Sequence, residues 1–220
     1  MISRVPDLIQ LFSVWAILFP IVVCILIFKK GSRDIRLFLL FLFIGLLTDL
    51  SMYGLLKSEN YQYLEIFFNI YSLIEASFFY WLIRANVELK FKPLVNGLYV
   101  LTLVYWVILT ILRIDFGRGN FSVAQFFDPV YEVVVSFFAG FILLQMVEKE
   151  DSVSDQPMFW IFLGIFFYCF CTFFIATFLN TELSQKLWFL HNIFNIITLG
   201  FYTFGLWKYY RIQKLNTIQT

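Results

Sequence analysis

Two stretches of this chain, Gly54 to Arg84 (GLLKSENYQYLEIFFNIYSLIEASFFYWLIR) and Thr177 to Trp207 (TFLNTELSQKLWFLHNIFNIITLGFYTFGLW), lie on each other over 31 positions without a gap, 123 residues apart. Eight positions are identical, and they include polar ones: Glu59 with Glu182, Gln62 with Gln185 and Asn69 with Asn192. Apolar composition alone seldom produces such matches. Each copy leaves one hydrophobic segment, crosses a short polar loop and enters the next, so the pair reads as a duplicated membrane unit. Duplicated units in transporters place a binding site at their interface.

The rest of the chain fits that reading. Hydrophobic residues make up 61% of it, charged ones 14%, and 30 of its 220 residues are Phe. The charges collect between apolar runs, each long enough to cross a hydrocarbon core of about 30 Å at a rise of about 1.5 Å per residue. Seven runs are legible: 8–28, 37–56, 64–83, 94–112, 124–147, 158–179 and 187–207. The first is too long for the apolar core of a signal peptide and lacks an obvious small-residue cleavage site, so it is counted as a span. No soluble domain fits in what remains, and residues 1–220 read as a single all-α, seven-helix, multi-pass domain of a cell membrane.

Orientation follows from Lys and Arg. Lys29, Lys30, Arg33, Arg36, Arg84, Lys90, Lys92, Lys149, Lys208, Arg211 and Lys214 fall in loops one, three and five and the C-terminal tail; Arg4, Lys57, Arg113, Arg118 and Lys186 fall on the other side. Eleven against five puts the N-terminus outside and the C-terminus in the cytoplasm by the positive-inside rule. A formal net charge of +1 is uninformative about partners, and no basic stripe argues for nucleic acid, which is not expected as a partner.

With that orientation the two copies point the same way. Runs one and five complete repeat halves 1–84 and 124–207, with the fourth run as linker. Three helices, a linker helix and three helices resemble, in architecture, the SWEET and PQ-loop carriers and the seven-helix opsins, and the resemblance implies a carrier or a receptor. No Pro-Gln dipeptide is present, and the seventh run holds no interior lysine for a retinal Schiff base. A single histidine excludes bis-histidine haem and the three-histidine zinc site of alkaline ceramidases. No cofactor is expected and no metal site is assigned, although carboxylates with His191 could hold a divalent ion in a hard, oxygen-rich site for which no spacing is diagnostic. Cys24, Cys169 and Cys171 lie within runs and form no redox motif. Of the prolines only Pro20 lies deep in a span, where it is expected to kink the helix.

Chemistry must come from polar groups inside the spans, because an ionisable side chain at the bilayer centre costs at least about 3 kcal/mol. Glu75 stands foremost, about 16 Å into the third run and close to the midplane. Glu65, Asn69, Ser72 and Glu75 step by four, three and three, which puts them on one helix face that must look inward. The seventh run carries a matching stripe of His191, Asn192, Asn195, Thr198 and Tyr202. Asp128, Glu132 and Ser136 step by four in the fifth, and Asp49 and Tyr53 in the second. Together they define a polar cavity in the outer half of the bundle, ringed by Tyr53, Tyr71, Tyr131 and Trp188. Against this stands a plain structural role: interhelical amide and hydroxyl bonds hold transmembrane helices together at about 0.6 kcal/mol each, which suits Asn69, Asn192, Asn195, Thr172 and Thr198. Gly97, Gly140, Gly164, Gly200 and Gly205 are read as points of close helix approach.

The expectation is an integral membrane protein that takes a small or lipid-like ligand into an outward-facing cavity, as a transporter or a receptor. Its binding or proton-coupling residues are Glu75, His191, Asn69, Ser72, Asn192, Asn195, Asp49, Asp128 and Glu132. Membrane lipid is a partner, and a receptor would need a separate signalling protein because the chain has no output domain. Two other classes remain open. A lipid-modifying hydrolase would have Glu75, Asp49 or His191 activate water, and a structural subunit of a larger complex would turn the same polar faces toward another chain.

Overall fold

Pro20 decides the shape of the first span. Proline has no N–H to give and its ring crowds the preceding turn, and the helix is interrupted at Ile17, three residues earlier. In the computed structural model, which describes residues 5–28, 33–57, 61–116, 123–149, 152–177 and 182–218, the chain folds into eight α-helices. They are α1 (Val5–Ala16), α2 (Leu18–Ile27), α3 (Arg33–Lys57), α4 (Tyr61–Asn86), α5 (Lys92–Phe116), α6 (Val123–Lys149), α7 (Pro157–Thr177) and α8 (Glu182–Ile218). Helices α1 and α2 together make one span, so seven spans are long and apolar enough to cross a membrane, as the apolar runs predict.

Two details depart from the sequence reading. Pro129 also lies inside a helix, seven residues into α6 and beside Asp128, where it removes one backbone bond from the ladder. Helix α8 continues eleven residues past the end of the seventh run, to Ile218. Of the aligned polar pairs, Glu59 and the side chains of Gln62, Glu182 and Gln185 lie outside the described residues.

Packing makes a closed ring. In order around it, the α1–α2 span meets α3, α3 meets α4, α4 meets α6, α6 meets α7, α7 meets α8, and α8 returns to α1 and α2. Helix α5 is the exception, seated outside in the groove between α4 and α6. Hydrogen bonds fasten it there: Tyr80 Oη and Thr102 Oγ1 lie 2.9 Å apart, and the Tyr99 hydroxyl donates to Ser77 Oγ at 3.1 Å. Its other side, with Val100, Leu101, Val104, Val107, Ile108 and Ile111, is exposed.

An aromatic layer fills one half of the ring. Phe41 of α3 stacks on Phe78 of α4 at 4.1 Å between centroids, and Phe38 meets Tyr202 of α8 edge-on at 5.2 Å. At the end beyond this layer, Lys149 bridges to Glu88 and Lys208 to Asp155. The hydrogen bond from Lys90 and that from Lys149 hold the partly exposed Glu88 carboxyl below the usual carboxylate range, and Lys208 does the same for Asp155.

Helices α7 and α8 come closest where glycines leave room. A Cβ on Gly205 would sit 2.7 Å from the Pro157 carbonyl oxygen, and one on Gly164 2.8 Å from the Tyr202 ring, whereas one on Gly200 or Gly97 would meet nothing within 4 Å. Close approach is thus real at Gly164 and Gly205, and at Gly140 against Phe166, but not at Gly97 or Gly200. Gly205→Ala must move backbone and is expected to cost about 1–3 kcal/mol. Gly200→Ala should be neutral or gain up to about 1 kcal/mol in helix propensity. Thermal unfolding of both variants in one detergent checks the pair, and equal effects would sink this account of the α7–α8 contact.

Candidate functional site

Above the aromatic layer the ring encloses a cavity of about 750 Å³, within the range of small-molecule sites. Every span except α5 contributes to its wall. Along α4 the cavity runs from Glu65 to Phe79, about 21 Å at the rise of an α-helix. Phe41, Phe79 and Tyr202 of the aromatic layer form its floor.

Three of the four residues of the α4 stripe face the cavity. Glu65, Ser72 and Glu75 line the cavity, with Phe68 and Tyr71 on the same face. Glu75 is 7% exposed. The Tyr131 hydroxyl of α6 donates to its Oε2 at 2.6 Å, and the Tyr71 hydroxyl, one turn back on α4, to its Oε1 at 3.4 Å. The first is a short, strong bond and the second lies at the limit of one. Asn69 behaves differently: its Oδ1 accepts the Ala124 N–H at 2.9 Å, capping the first turn of α6, and it is absent from the cavity wall. The plain structural role weighed for Asn69 is the one its geometry serves.

Two acids of α6 face the cavity one turn apart. Asp128 stands beside Ser72, and Glu132, 4% exposed, takes the Thr172 hydroxyl on Oε1 at 2.8 Å. Asp128 Oδ1 and Glu132 Oε2 are buried with no partner among the described residues. Asp49 joins them from α3. From α8 come His191, Asn192, Asn195, Thr198 and Tyr202. The His191 ring meets Tyr168 at 3.4 Å between Nε2 and Oη, and Asn195 Nδ2 donates to Ser13 Oγ of α1 at 3.0 Å.

Of the nine residues singled out from sequence, eight therefore share one wall, and Asn69 stands beside it. Tyr71 also lines the cavity and Tyr131 reaches it through Glu75; the side chains of Tyr53 and Trp188 lie outside the described residues. Sequence reasoning missed Tyr168, Gln10, Ser13 and Gln125, because single hydroxyls and amides in apolar runs carry no periodic signal. It also missed that Glu65 pairs with Arg113 of α5, a partly exposed ion pair of modest worth. Among the described residues, no group of three or more His, Cys, Asp or Glu side chains is placed to hold a metal ion.

The chain matches no protein-family model and has no counterpart among curated proteins or solved structures. Its site must be read from its own geometry.

That geometry makes Tyr131 the principal partner of Glu75. Tyr131→Phe should lower unfolding stability by about 1–3 kcal/mol, the usual loss when a buried polar group is deprived of its bond. Tyr71→Phe should cost clearly less, because 3.4 Å is a poor bond. Equal losses on thermal or denaturant unfolding would show that the two phenols share the carboxyl evenly.

Proposed function

We propose that this protein is a multi-pass membrane protein with its N-terminus outside, which binds a small or lipid-like ligand in the cavity at the outer half of the bundle and transports or senses it. The carrying observation is convergence: acids and amides from α3, α4, α6 and α8 meet around one space of about 750 Å³. Interhelical hydrogen bonding alone would draw such side chains together in pairs and leave no room between them. In the transport reading Glu75 is the coupling carboxyl, and repeat halves 1–84 and 124–207 rock about the cavity. The seat of α5 outside the ring supports its role as a linker, since a connecting helix need not touch the ligand. In the receptor reading the same cavity binds, and the cytoplasmic loops and the extended α8 address a separate signalling protein.

Native mass spectrometry of the wild type and of Glu75→Gln from mild detergent tests the proposal. The expected result is a molecule retained by the wild type and lost from the variant. A wild type that is empty, and no different from the variant in stability, would overturn it in favour of a subunit whose polar faces serve assembly. Reporter fusions check the orientation: a C-terminal phosphatase that is active would place that end outside and reverse the cavity's direction.

A further inference from the structure

Resting on that ligand-binding reading, we propose that the cavity takes a protonated organic amine with an apolar body, its ammonium N–H groups held by Asp128 and Glu132. Charge is the first ground. Among the described residues five carboxyl groups line the wall and neither Lys nor Arg does. Among the described residues, only Glu65 of these has a cationic side chain beside it, Arg113 of α5. A carboxylate shut away from water requires a compensating charge or hydrogen bonds, and the described wall supplies hydroxyl and amide donors but no Lys or Arg to balance the charge.

The second ground is independent of composition. Asp128 Oδ1 and Glu132 Oε2 are buried acceptors with no partner among the described residues, and both side chains line the cavity. They stand at i and i+4 on α6, so their Cβ atoms are about 5–6 Å apart. Even the served oxygen of Glu132 is poorly served. Thr172 Oγ1 lies 2.8 Å from Glu132 Oε1 and 2.6 Å from the Tyr168 carbonyl, and a hydroxyl has one proton for two acceptors. An ammonium group offers up to three N–H donors and a positive charge, which is what this turn of α6 lacks.

Size and lining constrain the remainder of the ligand. A bare cation would need carboxylates gathered at coordination distance, and no such group of three exists among the described residues. The space is that of a molecule. Phe41, Phe68, Phe79 and Tyr202 give it apolar and aromatic walls, against which a hydrocarbon body packs and a cation is attracted by ring faces. A quaternary ammonium has the charge without the N–H donors, so it satisfies the walls and leaves both acceptors unmet.

The test uses the full chain in lipid nanodiscs and a panel of probes: butylamine, phenethylamine and spermidine, with phenethyl alcohol, hydrocinnamate and phenethyltrimethylammonium as counterparts. Calorimetric titration and the shift of the unfolding midpoint are the readouts. At least one amine should bind, at least tenfold more tightly than the alcohol and the trimethylammonium compound, with no binding of the carboxylate. Glu132→Gln and Asp128→Asn, each confirmed folded by unchanged helix content and unfolding cooperativity, should each weaken the amine at least tenfold. Amines that bind no better than their counterparts, or that bind both variants as tightly as the wild type, overturn the inference. The two levels separate cleanly: a neutral or anionic molecule retained by the wild type and lost from Glu75→Gln would keep the ligand cavity and remove the amine, whereas no retained molecule and no bound probe would remove both.

Discussion

A carboxyl group halfway along a helix whose outer surface is apolar has to be turned inward, and the placing of Glu75 governs how the bundle is assembled. At a cost of at least about 3 kcal/mol for an ionisable group facing hydrocarbon, no rotation of α4 that exposes it competes. Tyr131 fixes the matter from the other side, since its 2.6 Å bond to Glu75 sets α6 in rotation and height against α4. Asn69, nearly two turns away, ties the first turn of α6 to the same helix. With α4 and α6 so joined, α5 can only lie outside them, and the remaining spans close the ring through α7 and α8. The last join, α8 to α1, carries a polar clasp of its own between Asn195 and Ser13.

Hydropathy made the seven spans legible because each is a long, uninterrupted apolar run, and the period of the acids made the inward faces of α4 and α6 legible for the same energetic reason. What periodicity does not carry is which helix faces which. The pairing of Glu65 with Arg113 joins residues 48 positions apart, near the start of α4 and the end of α5, and nothing local announces it. Tyr168 and Thr172 were illegible as wall residues because α7 has no acid to mark its inward face; Thr172 is tied to Glu132 of α6 and Tyr168 to His191 of α8. Asn69 and Asn192 show the limit of an internal alignment. They occupy equivalent positions, yet one caps a helix and the other lines the cavity, since the surroundings of a side chain depend on the neighbouring helix, and α6 and α1 are not alike.

The two halves of the ring use different physics. Toward the end where α3 finishes and α4 begins, polar groups line open space, while the opposite half is filled by interlocked rings. A filled aromatic layer is stiff, because stacked and edge-on contacts of 4–6 Å tolerate little displacement at interior packing density. A ligand resting on Phe41, Phe79 and Tyr202 would therefore press on a surface that either holds or shifts as a unit. That is the kind of bistable contact through which small movements at a site become larger ones elsewhere.

Tyr202 is the member of that layer whose position is set from outside it. Its ring lies over Gly164 of α7, where no Cβ intervenes, and Thr198, one turn earlier, leans on the Gly164 carbonyl. Because Gly205 lets α8 approach Pro157 just as closely, α7 and α8 are held close at two levels. Any opening of the floor then has one natural seam, between the α7–α8 pair carrying Tyr202 and the α3–α4 pair carrying Phe38 and Phe78. In the transport reading proposed above this seam would be the inner gate, and in the receptor reading the joint through which a bound ligand would displace α8. Both readings require the same separation of Tyr202 from Phe38, so they share one mechanical element and differ only in whether its opening releases the ligand inward or moves α8 against a partner.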